Sequence, residues 1–133
     1  MRKVMNKKIL VSSIAASIAL SATSQVQAQD TVFVGHLADM SGPTAFVGKA
    51  YANGVRDSLA YINAHGGIKG TKLESETIDY GYKVPQAIAA YKKWKSRNKM
   101  VAMQGWGTAD TEALISFVAR DKTPVFSASY SGH

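Results

Sequence analysis

Short strand-like segments alternate with segments of helical periodicity along most of this chain. The strand-like segments cover residues 32–37, 73–79, 100–104 and 124–127, and a helical pattern lies between each successive pair. Strands joined by right-handed helical crossovers form a parallel sheet with helices packed against both faces. The sequence therefore predicts an α/β fold, a Rossmann-like three-layer lobe around a parallel sheet.

The first predicted helix covers residues 45–64 and has one inward face of three- and four-residue spacing. That face carries Val47, Tyr51, Gly54, Val55, Ser58, Leu59 and Ile62. Gly54 on this face predicts a close approach of the helix to the sheet, and Gly66 and Gly67 predict a helix end that needs positive φ.

The remaining elements follow from composition and periodicity. A second helix is predicted from Pro85, with Ile88, Ala89, Tyr91 and Trp94 as its apolar positions. A third is predicted over residues 111–120, with Leu114, Phe117 and Val118 inward. The polar strand 73–79 is expected at one edge of the sheet, and the strand 124–127 is expected to leave an unpaired edge.

The N-terminal residues have the pattern of an export signal. Residues 9–22 carry no charge and follow the basic residues Arg2, Lys3, Lys7 and Lys8. Such a run is too short to span a bilayer comfortably, and small side chains at Val26 and Ala28 suit a signal peptidase. We expect residues 1–28 to be a signal peptide cleaved after Ala28 and the protein to be periplasmic; a retained membrane anchor is the alternative.

The net charge of +7 changes meaning once that segment is removed. The chain has 16 Lys and Arg and 9 Asp and Glu, and four of the basic residues precede residue 9, so 12 against 9 leaves +3 for residues 29–133. The basic residues from Lys92 to Lys99 follow no groove-reading motif and are expected to form a solvated helix face. No nucleic-acid partner is predicted. The absence of Cys excludes a disulfide and a cysteine zinc site.

The residues of this chain do not have the spacing that known motifs for catalysis and cofactor binding require. Five residues separate Gly42 from Gly48 where a phosphate-binding loop needs four, and no G-x-G-x-x-G follows the first strand. No H-E-x-x-H occurs, and the histidines are expected to be structural. We therefore expect no enzyme, no cofactor and no metal; an exported hydrolase using Ser129 or Ser131 is the enzyme alternative.

The loops that follow the strands of an open parallel sheet meet at one edge, where such folds bind ligands. These loops carry hydroxyl and aromatic side chains, and the predicted ligand-binding residues are Ser41, Phe46, Trp106, Thr108, Ser129, Tyr130 and Ser131. Thr108 precedes the third helix, where free N–H groups favour a carboxylate; alternatively, Thr108 or Asp110 caps that helix. Trp106 and Tyr130 are expected either to cover the apolar part of a ligand or to pack within the lobe.

Residues 40–45 (MSGPTA), the later Gly48, residues 62–70 (INAHGGIKG) and Asp79 resemble the start of the branched-chain amino-acid type ABC transporter substrate-binding proteins. This resemblance implies a two-lobed type I periplasmic binding protein that delivers a ligand to an inner-membrane permease and catalyses no reaction. Residues 29–133 would be the N-terminal part of the first lobe, without the second lobe, so the fold is expected to be incomplete and the chain a fragment.

The resemblance also implies roles for individual residues. In amino-acid-binding members, positions matching Thr108, Ser129 and Ser131 hold the carboxylate and ammonium of the ligand, and Phe46 or Val47 matches an aromatic position in the side-chain pocket. Some relatives join two loops by a disulfide where this chain has Tyr82 and Gly107. The expected function is import of an amino acid or a related carboxylate or amide; a ligand-sensing domain coupled to a receptor or regulator is the alternative.

Overall fold

The computed structural model describes residues 30–97 and 99–130. Its strands are β1 (Thr31–Ala38), β2 (Lys72–Asp79), β3 (Met100–Gly105) and β4 (Val125–Ser127). Its helices are α1 (Ala45–Ala64), α2 (Val84–Arg97) and α3 (Thr108–Arg120). The predicted signal peptide, residues 1–28, lies outside the described residues.

All four strands are parallel and lie in the order β2-β1-β3-β4. On the central strand β1, a Cβ at Gly35 would lie 2.5 Å from the Trp94 ring of α2, so this face of β1 meets α2. His36, the next residue, faces the other way and packs against Tyr51 of α1, with 6.3 Å between ring centroids. The helices therefore cover both faces of the sheet, and the predicted three-layer α/β fold is confirmed.

The main core lies between the sheet and the helices α2 and α3. Its largest fully buried apolar side chains are Trp94, Tyr80, Tyr91, Leu37, Met103 and Leu114. Burying Leu37, Met103 or Leu114 stabilises the fold by about 1.5–3 kcal/mol each. Of the apolar positions named for the second helix, Ala89 is exposed, and the buried alanines of α2 are Ala87 and Ala90.

Strand β2 lies at the edge of the sheet, as its polar sequence predicted. Glu76 accepts hydrogen bonds from the Lys93 ammonium and, over 2.8 Å, from the Trp94 indole N–H. These donors lower the pKa of Glu76 below its usual value. Strand β4 pairs only with β3 among the described residues, and its Phe126 is 64% exposed.

The close approach of α1 to neighbouring backbone occurs at Gly48, so the expectation for Gly54 was wrong. A Cβ at Gly48 would lie 2.0 Å from the carbonyl oxygen of Asp39, whereas a Cβ at Gly54 would meet nothing within 4 Å. The predicted end of α1 is confirmed, because Gly66 and Gly67 have φ of +95° and +76°. Within residues 30–97 and 99–130, no helix is long and apolar enough to cross a membrane.

Candidate functional site

The loops after β1, β2, β3 and β4 surround a cleft of about 460 Å³ at the carboxyl edge of the sheet. The cleft is lined by Thr44, Phe46, Val47, Tyr51, Tyr82, Trp106, Gly107, Thr108, Ala128 and Tyr130. Every loop that follows a strand contributes to it. The sheet topology therefore builds this site from four separate stretches of sequence.

Thr108, the first residue of α3, lines the cleft and carries a hydroxyl group. Its oxygen accepts a hydrogen bond from the backbone N–H of Tyr130 at 3.1 Å and another from the Ser129 hydroxyl at 3.4 Å. Since that oxygen accepts twice, the hydroxyl proton of Thr108 is left to donate to a further group. The predicted convergence of Thr108 and Ser129 is thus present in the geometry.

Helix α3 begins at Thr108, three residues before the predicted start. Gly107 is the N-cap, and the Asp110 carboxylate accepts a hydrogen bond from the Gly107 N–H at 3.1 Å. Of the two residues considered as caps, Asp110 contributes to capping as the third helical residue, whose carboxylate accepts the N–H of the N-cap Gly107. The side chain of Thr108 remains directed towards Ser129 and Tyr130.

Asp110 lies in the first turn of α3 and is fully buried. The Tyr80 hydroxyl donates to it at 2.6 Å, while its second carboxylate oxygen has no hydrogen-bond partner among the described residues. Burial raises the pKa of Asp110, although the Tyr80 and Gly107 donors act in the opposite direction. Burial and the adjacent Asp110 carboxylate raise the pKa of Tyr80.

Trp106 is held in place by a chain of hydrogen bonds that starts at Asp39. Buried Asp39 accepts bonds from the Gly42 N–H at 2.6 Å, the Thr44 N–H at 2.8 Å and the Thr44 hydroxyl at 2.6 Å. The Thr44 hydroxyl oxygen in turn accepts the Trp106 indole N–H at 2.8 Å. Trp106 also packs on Tyr51, with 4.8 Å between ring centroids. The indole is therefore a preorganised wall of the cleft.

Tyr82 forms another wall of the cleft. Its ring covers Gly107 so closely that a Cβ there would lie 2.5 Å from the Tyr82 ring. It also lies 5.9 Å from the Tyr80 ring, and its own φ is +59°. A side chain larger than hydrogen at position 107 would displace this ring.

The predicted binding residues differ in where the structure places them. Trp106 and Thr108 line the cleft, Phe46 and Tyr130 stand at its rim with 84% and 99% exposure, and Ser129 contacts Thr108. Ser41 hydrogen-bonds Asp79 instead and is not among the lining residues. Ser131 lies outside the described residues.

Ser41 belongs to a set of contacts that orders the loop after β1. Although burial alone would raise the pKa of Asp79, hydrogen bonds from Met40, Ser41 and Gly81 hold it below its usual value. The Met40 and Gly81 amides donate to one Asp79 oxygen at 2.9 Å and 3.1 Å. Asp79 therefore ties the loop after β1 to the loop after β2.

Other lining residues are absent from the predicted site. Thr44 and Tyr82 lie in the loops after β1 and β2, and a count of hydroxyl and aromatic residues in those loops would have included them. Val47 lies in α1 and was expected only as the alternative to Phe46 in the side-chain pocket. Tyr51 was assigned to the inward face of the first helix, but its ring packs against Trp106 and lines the cleft. No sequence signal distinguishes Ala128, which contributes through its position after β4.

A parallel sheet with a polar and aromatic cleft at its carboxyl edge is the arrangement of an α/β ligand-binding lobe. The sequence profile described as periplasmic binding protein matches residues 31–133, so the chain belongs to that family. The predicted resemblance to branched-chain amino-acid type ABC transporter substrate-binding proteins is thereby confirmed at the level of the family.

Curated relatives show the same affiliation. The chain is 40% identical to the leucine-specific-binding protein of Salmonella typhimurium over 81 residues. That aligned stretch is 61% of this chain and 22% of the relative. It is 38% identical over 80 residues to the Leu/Ile/Val-binding protein of Escherichia coli K12, covering 60% of this chain and 22% of the relative. The chain thus matches less than a quarter of the length of these relatives.

Solved structures share the fold. An ABC transporter substrate-binding protein of Aeropyrum pernix superposes with a TM-score of 0.73 at 37% identity, over 77% of this chain and 28% of that protein. A solute-binding protein of an ABC transporter from Rhodopseudomonas palustris, solved with 3,4-dihydroxybenzoic acid, gives 0.66 at 25% identity, over 76% and 28%. These relatives are solute-binding proteins, in keeping with the expectation that this chain is not an enzyme.

Proposed function

We propose that this protein is the periplasmic solute-binding component of an ABC importer. Its solute is a small carboxylate or amide such as an amino acid, delivered to an inner-membrane permease. Residues 1–28 act as the export signal and are cleaved after Ala28. The family affiliation supports this class of function, and the names of the curated relatives support an amino-acid-like solute.

The geometry around Thr108 carries the proposal. Its hydroxyl already accepts hydrogen bonds from Tyr130 and Ser129, so it offers a donor to the cleft. The amides of Thr108 and Ala109 lie in the first turn of α3, where the helix offers no backbone acceptor, and at the positive end of its dipole. A hydroxyl donor beside a helix N-terminus suits a carboxylate or an amide oxygen.

The mechanism we propose is binding followed by closure. The described lobe holds the polar end of the solute at Thr108 and Ser129, and a second lobe covers the open side of the cleft. Hinge closure excludes water from these hydrogen bonds and creates the shape that the permease recognises. The solute leaves unchanged, because the site needs only donors and apolar walls.

Isothermal titration calorimetry on the complete protein tests this function. The ligand panel contains amino acids, amides and aliphatic and aromatic carboxylates, and at least one is expected to bind with 1:1 stoichiometry. Thr108→Val is expected to weaken that binding, whereas Thr71→Val, in the turn before β2 at the opposite end of the sheet, leaves it unchanged. A folded protein that binds no member of the panel contradicts the proposal.

A further inference from the structure

We infer that the solute is an aryl-substituted carboxylate, with a flat ring and without an ammonium group, rather than a branched-chain amino acid. This inference rests on the proposed function and concerns the same cleft. It follows from the walls of the cleft and from the charges beside it.

Aromatic side chains form most of the apolar lining. Five of the ten lining residues are aromatic, namely Phe46, Tyr51, Tyr82, Trp106 and Tyr130. A flat ring gains more than a branched aliphatic chain against such walls, because aromatic pairs contribute beyond their buried area.

Two of these aromatic walls are fixed before any solute binds. Trp106 is held by its hydrogen bond to Thr44 and by the Tyr51 ring. Tyr82 is held against the backbone of Gly107 and beside Tyr80. Walls that need no rearrangement cost little conformational entropy on binding, and they flank the start of α3.

The described lining of the cleft holds no counter-charge for an ammonium group. Among the described residues that line the cleft, none is Asp or Glu. The two nearby carboxylates, Asp39 and Asp110, are fully buried, and their oxygens accept hydrogen bonds from amides and hydroxyls of the surrounding loops. An ammonium group in this cleft would lose its hydration without gaining an acidic partner from these loops.

The polar end of the cleft, in contrast, suits an anion. Thr108 offers a hydroxyl proton, and Thr108 and Ala109 in the first turn of α3 offer backbone N–H groups. A carboxylate attached to a ring can place its oxygens against these donors while the ring lies between the aromatic walls.

Four ligands separate the two parts of this inference. L-phenylalanine and 3-phenylpropanoate differ only in the ammonium group, as do L-leucine and 4-methylpentanoate, and the two pairs differ in the ring. Calorimetry on the complete protein is expected to show 3-phenylpropanoate binding at least tenfold more tightly than each of the other three.

Variants at Tyr82 test whether the ring is recognised by this wall. Tyr82→Leu is expected to weaken 3-phenylpropanoate binding at least tenfold and 4-methylpentanoate binding less than threefold, whereas Tyr82→Phe retains both affinities. Tyr61→Leu, at a 65% exposed position on α1, is the matched control and changes neither. If Tyr82→Leu does not fold, the four-ligand comparison on the unaltered protein decides alone.

The outcomes distinguish this inference from the proposed function. Tightest binding by L-leucine, or tighter binding of L-phenylalanine than of 3-phenylpropanoate, overturns the inference and leaves the solute-binding function standing. If Tyr82→Leu weakens the binding of 3-phenylpropanoate and of 4-methylpentanoate equally, the Tyr82 wall does not recognise the ring of the ligand, and that assignment is overturned. Failure of every solute to bind the folded protein overturns both.

Discussion

The backbone amide of Tyr130 donates a hydrogen bond to the side-chain oxygen of Thr108 over 3.1 Å. This contact joins the segment after β4 to the first residue of α3, and the Ser129 hydroxyl adds a second donor at 3.4 Å. Deeper in the same interface, the hydroxyls of Thr111 and Ser127 lie 2.8 Å apart. Both α3 and the segment after β4 therefore fix the position of the Thr108 hydroxyl.

Replacing Thr108 by Val keeps the shape of the side chain and removes its hydroxyl. We expect the affinity for the tightest-binding carboxylate to fall by about 1–3 kcal/mol, because a hydrogen bond to a charged group is lost. Thr108→Ser is expected to restore most of it, since the donor returns. Calorimetry measures both, and an unchanged affinity in Thr108→Val would show that this hydroxyl only joins α3 to the segment after β4.

Two glycines of α1 give a matched pair for stability. Gly48→Ala places a methyl group against the Asp39 carbonyl and is expected to lower the free energy of unfolding by about 1–3 kcal/mol. Gly54→Ala enters open space within the helix and is expected to raise it by about 0.5–1 kcal/mol. Urea denaturation measures both changes. Equal effects at the two positions would contradict the packing described at Gly48.

The contrast between these glycines shows what the sequence could predict. The 45–64 helix and the polar edge strand followed from local periodicity and composition, and both are present. The rotation of α1 about its axis depends on where the Asp39 carbonyl lies, which is a tertiary contact. Spacing alone therefore selected Gly54 instead of Gly48.

The sequence predicted the site about as well as it predicted the fold. The rule for open sheets located the loops that line the cleft, where Thr108 and Trp106 lie and Ser129 contacts Thr108. The start of α3 was placed three residues late because Gly105 and Gly107 weaken the helical signal before it. The burial of Asp110 had no sequence signal, since its partners come from residue 80, on another loop, and from the backbone of Gly107.

The contact between Tyr80 and Asp110 gives a pH-dependent prediction. Tyr80→Phe removes a 2.6 Å donor from a buried carboxylate and is expected to cost roughly 1.5–3 kcal/mol of stability at pH 7. Burial already raises the pKa of Asp110, and loss of this donor raises it further. The folded variant therefore keeps the Asp110 proton to higher pH than the unfolded chain, so its extra cost shrinks as the pH falls.

Urea denaturation of Tyr80→Phe and the parent protein at pH 7 and pH 4 measures this difference. Tyr61→Phe alters an exposed tyrosine and is expected to change stability by less than about 0.5 kcal/mol at both pH values. A penalty for Tyr80→Phe that is equal at both pH values would show that Asp110 does not carry the buried charge.

His36 gives the last prediction, because it is a fully buried imidazole at the centre of the sheet. Its Nδ1 lies 3.0 Å from the Thr77 hydroxyl, and its Nε2 has no hydrogen-bond partner among the described residues. Burial, with a smaller effect from Arg56, lowers its pKa from 6.5 to about 4. The unfolded chain therefore takes up this proton at higher pH than the folded protein. The stability that neutral His36 confers is complete above pH 6.5 and is lost as the pH falls towards 4, by at most about 1.4 kcal/mol per pH unit.

His36→Asn keeps a polar group near Thr77 and cannot titrate, so its unfolding free energy should vary less with pH across this window, whatever its absolute value. His65→Asn, at the exposed end of α1, is the matched control and should retain the slope of the parent protein. Identical slopes for His36→Asn and the parent between pH 6.5 and 4 would rule out the buried imidazole as the source of acid sensitivity.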